Sequence, residues 1–269
     1  MKIARIRLEN GEIHYAFPRE LEETATSQME LLSGDPFSEV IPTGQIVTNH
    51  TLLAPVVPKT ILCVGLNYRK HAEETGARIP EYPVLFFKNP AALLDPGAAI
   101  KIPTKLPSDQ VDYEGELALV IGKDCKNATR ENALDFILGY TCANDVSARD
   151  WQKQWGGSQW CRGKSFDTFA PLGPWLVTTD EISDPNRLQI TTRVNDDILQ
   201  NSNTSDMIFD VPRLIEFLSA DTTLLAGTVI LTGTPEGVGM SRTPPRWLQK
   251  GDHCSIEIES IGKLENTVD

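Results

Sequence analysis

The segment VDYEGELALVIG, residues 111–122, constrains the fold of this chain more than any other. Leu117 to Ile121 is an apolar run of strand character, and such a strand is stable only when covered on both faces. The chain must therefore build layers above and below a sheet. The same strand opens on two glutamates. Successive side chains of a strand point to opposite faces, so Glu114 and Glu116 share one, with Asp112 just before them on that side. Like charges so placed repel, and water screens them poorly beside a buried strand. Ordinary surface glutamates at a solvated strand end would relieve the repulsion. So would a proton held on one carboxylate, or a cation between them.

The rest of the chain reads as short strands with few helices. Residues 2–8 and 12–17 form a hairpin pattern closed by Asn10-Gly11. Between 18 and 58 the prolines at 36, 42, 55 and 58 suggest irregular structure. TILCVGLNY (60–68) is expected to be a buried strand leading into a helix, RKHAEETG, that ends at Gly76. Further strands are expected at 84–88, 115–121, 138–143, 189–194, 228–232 and 254–259. One helix is expected at about 130–138, from Thr129 to Gly139. Another is expected at about 211–220, with Asp210 as N-cap and Pro212 in its first turn. Strands outnumber helices and lack regular helical crossovers, so the expected fold is a β-rich α+β class rather than a doubly wound sheet. The expected division is a small N-terminal module, 1–58, and a main domain, 59–269.

Charge and cysteine usage exclude several functions. The 25 Lys+Arg against 37 Asp+Glu give a formal charge of −12 with no basic cluster, which disfavours nucleic acid as a partner. No apolar run is long enough to span a bilayer, and the opening MKIARIRLENGEIHYAF resembles neither a secretory nor a transit leader. Five cysteines without a C-x-x-C pair suit a reducing compartment. A cytoplasmic enzyme is the expectation.

Several residues are candidates for chemistry. GYTCANDVSARDWQ is a second apolar strand ending on an acid, Asp145, which could cap a short helix or supply a third oxygen ligand. With Glu114 and Glu116 it would suit a hard cation, Mg²⁺ or Mn²⁺, because the four histidines lack zinc spacing. His71 and Glu74 lie three apart on a helix, as a surface contact or as an imidazole oriented by a carboxylate. Arg149 and Gln152 would share a face with Asp145 if the turn after it continues as helix. Lys88 ends an apolar strand and could partner the carboxylates. Lys164 sits between glycine and serine, where an exposed loop lysine is the ordinary outcome. TGTPEGVG (232–239) is a tight glycine turn or a backbone cradle in which Thr234 donates to a substrate carboxylate. Trp151, Trp155 and Trp160 flank these loops as core, pocket wall or dimer contact.

GLNYRKHAEE, DYEGELALVIG, NDVSARDWQ, GKSFDTFAPLGP and LTGTPEGVG occur in this order over about residues 60–269. Together they resemble the fumarylacetoacetate hydrolase family, in particular its acylpyruvase-like and domain-containing branch. The resemblance implies a mixed β-sandwich roll, a homodimer, and Mg²⁺ or Mn²⁺ held by Glu114, Glu116 and Asp145. It implies that His71 and Glu74, on a lid-like element, activate water. It places Lys164, Arg149 and Gln152 near the substrate, a short 2-oxo or 2,4-dioxo acid. The activity it implies first is C–C bond hydrolysis of acylpyruvates through a metal-bound enolate. The alternatives are oxaloacetate decarboxylase, oxaloacetate keto–enol tautomerase or 2-hydroxyhepta-2,4-diene-1,7-dioate isomerase, and a non-catalytic dicarboxylate-binding protein. One departure stands out: acylpyruvase relatives often carry arginine where this chain has Leu66.

Overall fold

The computed structural model describes residues 1–19 and 27–269. Its centre is the strand Gly115–Ile121, buried at every position, as its apolar run requires. It pairs antiparallel with Ile137–Asn144 on one side and Thr228–Leu231 on the other. Beyond the latter come Thr60–Gly65, in parallel, and the edge strand Val84–Lys88. Beyond Ile137–Asn144 come Ala170–Thr178 and then Lys2–Leu8. The N-terminal strands Ile13–Pro18, Met29–Asp35 and Glu39–Val47 complete the path of a 12-stranded mixed sheet. A five-stranded sheet runs Asp197–Asn203, Gln189–Val194, His253–Ile258, Gly262–Val268, Ala99–Ile100. It packs across Gly115–Ile121, Ile137–Asn144 and Ala170–Thr178. The fold is thus a β-rich α+β arrangement of two packed sheets.

Gly115 explains how the sheets meet at the site. A Cβ there would lie 2.1 Å from Thr192 Oγ1 in the second sheet. Glu114 and Glu116 point one way; the residue between them is glycine because the opposite face is in close contact with the other layer.

Two helices form as expected. Arg69–Thr75 ends on Gly76 in the left-handed region, φ 63°, and Val211–Ser219 starts on Asp210, whose side chain accepts from Arg213 N–H. The helix expected at 130–138 does not form. A short 3₁₀ turn, Ala133–Phe136, leads straight into Ile137–Asn144, since the central strand needs that neighbour. The segment expected to be irregular holds the strands Met29–Asp35, Glu39–Val47 and His50–Leu53. Pro42 is tolerated because Glu39–Val47 lies at the sheet's edge. Residues 20–26 of that segment lie outside the described residues. Lys2 and Ile3 pair with Val177 and Leu176, so residues on both sides of position 58 share one sheet. No helix among the described residues is long and apolar enough to cross a membrane.

Candidate active site and metal centre

Glu114 and Asp145 stand at the paired ends of adjacent strands. Gly115 is opposite Asn144, and Asp145 N–H donates to the Glu114 carbonyl at 2.9 Å. Asn144 Oδ1 accepts from Glu114 N–H at 3.0 Å, which fixes the turn into the strand. Glu116, inside the strand, accepts from Gly233 N–H at 2.7 Å. Gly233 adopts φ +99°, and a Cβ there would lie 2.7 Å from that of Asn67. All three acids are buried, and one carboxylate oxygen of each lies within 4.8 Å of the others. Asp112, read from alternation as a neighbour of this face, is elsewhere. The strand breaks at Tyr113 and Glu114, and Asp112 belongs to a two-residue ladder with Ser147–Ala148. There it accepts from Gly239 and Met240 N–H and from Arg149.

Three buried cations surround the cluster. Lys164 Nζ bridges Glu114 at 2.5 Å and Asp145 at 2.7 Å; it is buried on the short helix Cys161–Lys164, not on an exposed loop. Lys88 donates to the other Asp145 oxygen at 2.5 Å. Arg149 reaches Asp112 at 2.9 Å, Glu114 at 2.7 Å and Gln152 Oε1 at 3.0 Å. Burial opposes ionisation of Glu114, but Arg149 and Lys164 outweigh it and hold its carboxyl well below the usual range. Glu116 goes the opposite way: burial, then the charges of Asp145 and Glu114, push its carboxyl well up.

The donor set fits a hard divalent ion. Four buried carboxylates (Asp112, Glu114, Glu116, Asp145) meet three buried cations, and Glu116 has no ion pair among the described residues. Oxygen-only donors close enough to converge are the ligand type that a hard divalent cation takes.

Glu114 and Glu116 form one wall of a pocket of about 230 Å³ that also receives His71, Gln152, Lys153 and Thr234. His71 Nδ1 faces Glu74 Oε2 at 3.3 Å, and Gly237 N–H donates to the same carboxylate. Glu74 is partly buried, yet the bonds from His71 and Gly237 keep its carboxyl below the usual range. An ionised Glu74 draws the imidazole proton to Nδ1 and leaves Nε2 with its lone pair. Gln152 is buried and spends its oxygen on Arg149, so its amide N–H donors remain for the pocket. Thr234 lines the pocket, but its hydroxyl donates to the Gly115 carbonyl and accepts from Gln200, so its proton is committed to the wall. Leu66, at φ 52°, contributes an apolar surface with Phe86, Trp160 and Met240. Trp160 is pocket wall, while Trp155 is mostly exposed and stacks edge-on with Trp151. A larger open cleft of about 950 Å³ beside Lys101, Arg162 and Phe166 contains none of the acidic cluster.

Alternation did not anticipate the Asp112–Arg149 pair, because the partners are 37 residues apart and meet through tertiary pairing. Lys153 and Met240 were also missed; neither belongs to a spacing pattern.

The Fumarylacetoacetate (FAA) hydrolase C-terminal family matches residues 60–269. A Xenopus laevis protein named "Oxaloacetate tautomerase fahd2, mitochondrial" is 49% identical over 82% of this chain and 69% of its own length. The solved structure of a 5-carboxymethyl-2-hydroxymuconate delta-isomerase from Mycobacterium smegmatis superposes with a TM-score of 0.86 at 40% identity, covering 100% and 99% of the two chains. A fumarylacetoacetate hydrolase from Exiguobacterium antarcticum gives 0.87 at 35% identity, with the same coverage.

Proposed function

The chain belongs to the fumarylacetoacetate hydrolase family, and from that premise we propose that it is a Mg²⁺- or Mn²⁺-dependent oxo-acid tautomerase with oxaloacetate as substrate. The supporting observation is that a fixed imidazole, His71 on Glu74, and a buried acidic cluster around Lys164 open onto one small pocket. Glu114, Glu116 and Asp145 would hold the divalent ion, which would supply Lewis acidity toward the bound oxo acid.

The protein's own groups then divide the work. His71 Nε2 removes a proton from C3 in the keto-to-enol direction and returns it in reverse. Glu74 holds that ring and its tautomer. Lys164 Nζ offsets the charge that grows on the 2-oxygen as C3–H breaks, and the proton taken up by His71 is passed on to that oxygen, so the imidazole returns to its starting form and no net proton is gained or lost. Gln152 N–H groups orient the acid, and Arg149 holds Gln152 and Glu114 in place. Phe86, Trp160 and Met240 exclude water, which suits proton transfer without hydrolysis.

C–C hydrolysis of acylpyruvates was the first expectation from sequence. The relative named as an oxaloacetate tautomerase and the isomerase structure favour the alternative instead, and Leu66 gives the pocket no cation at that position. The test is to follow the ultraviolet absorbance of enol-oxaloacetate as it converts to the keto form, with metal titration. Acetylpyruvate consumption and CO₂ release are measured in parallel. Faster enol loss without CO₂ supports the proposal. Cleavage of acetylpyruvate with no effect on the enol would make the protein a hydrolase, and inertness toward all three would favour a dicarboxylate binder.

A further inference from the structure

An acid entering the pocket meets three cationic side chains, Arg149, Lys153 and Lys164. Two are already committed. Arg149 is divided among Asp112, Glu114 and Gln152, and Lys164 bridges Glu114 and Asp145. Lys153 differs. It follows Gln152 in the π-helical turn Trp151–Trp155, and its side chain has neither an ion pair nor a hydrogen bond among the described residues. It lines the pocket and is exposed to solvent. Partial burial, then the neighbouring Arg149, lower the pKa of its ammonium, so an anion beside it would stabilise the charged form of Lys153. Val64, Leu66, Phe86, Trp160 and Met240 give the pocket its apolar surface, beside the neutral polar side chains of Thr75, Gln152 and Thr234. A π-turn also places consecutive side chains differently from an α-helix, which is how Gln152 and Lys153 can both serve one cavity.

We infer that Lys153 binds the distal carboxylate of a dicarboxylic oxo acid and makes the site selective for such acids over those with neutral tails. The inference rests on the tautomerase reading, in which the head of the substrate lies at the end of the pocket where the acids would hold the divalent ion. The tail is then held by Lys153, which forms no ion pair with a carboxylate among the described residues. With a net charge of −12 on the chain, an exposed lysine that lines the pocket also gives an incoming dianion a local point of attraction.

The test compares oxaloacetate with its 4-methyl ester, which keeps the head and removes the tail charge. Affinity is measured by titration calorimetry on the full chain in Mg²⁺, and turnover by enol absorbance. Lys153→Met should raise Kd and KM for oxaloacetate about tenfold, the effect of losing one charge-assisted hydrogen bond, while the ester's values move by less than about twofold. Lys153→Arg should recover most of the oxaloacetate affinity. Unchanged oxaloacetate affinity in Lys153→Met, or equal weakening of both ligands, would overturn the inference, as would a native protein that binds both equally or neither. A Lys153-dependent preference for oxaloacetate without any tautomerisation would uphold the carboxylate site and overturn the tautomerase reading.

Discussion

Burial and the neighbouring charges of Asp145 and Glu114 push the Glu116 carboxyl well above the ordinary range, and its one described hydrogen bond comes from Gly233 N–H. A proton and a divalent cation therefore compete for this carboxylate. Cation binding should release a proton, and Mg²⁺ affinity should rise with pH as Glu116 loses its proton. Calorimetry in two buffers of different ionisation enthalpy reads the proton directly. Glu116→Gln keeps an acceptor for Gly233 but removes the negative oxygen; Mg²⁺ affinity and tautomerisation should each fall about 100-fold or more, with the fold intact. Native-like Mg²⁺ affinity in that variant would remove Glu116 from the ligand set. The pair of glutamates was readable in the sequence because period-two alternation is a local property. Lys164 as a bridge between Glu114 and Asp145 was not, since its partners lie 50 and 19 residues away.

At the scale of elements, Gly115 joins the site to the packing of the two sheets. Gly115→Ala would bring its Cβ to 2.1 Å from Thr192 Oγ1, closer than any real contact, so the strand or the second sheet must shift. The variant should lose about 1–3 kcal/mol in urea unfolding, the range for overpacking a tight core. Thr192→Ala on that background should restore part of the loss, because the remaining neighbours, Gln200 Oε1 and Ile256, lie at 3.3 Å. No recovery in the double variant would place the strain elsewhere. Helix ends were legible here: Gly76 and Asp210 carry their own capping chemistry. The helix expected at 130–138 failed because residues from 137 onward pair along most of Gly115–Ile121, and that pairing outweighs a local preference.

For the whole molecule, an excess buried carboxylate couples metal binding to stability. Without metal, a group whose folded pKa lies above its unfolded value contributes stability that is full below the unfolded pKa. That stability is lost as pH rises through the folded one. Metal-free protein should accordingly lose Tm as pH rises from about 4.3, the ordinary glutamate value, while saturating Mg²⁺ should offset the loss. At 100 times its Kd the ion would add about 2.7 kcal/mol, and chelation should reverse it in a thermal melt. A Tm indifferent to both pH and Mg²⁺ would contradict a cation at this site. By itself the sequence determined the acid-bearing strand ends, the helix caps, the β-rich class and, through five ordered motifs, the family. All of these follow from short-range periodicity or residue identity. The tertiary structure alone decided that the first strand pairs with Ala170–Thr178, that Asp112 faces Arg149, that Thr234 spends its proton on the wall, and that Lys153 remains free of ion pairs among the described residues. Each of these depends on which distant segments come into contact, and local alternation carries no record of that.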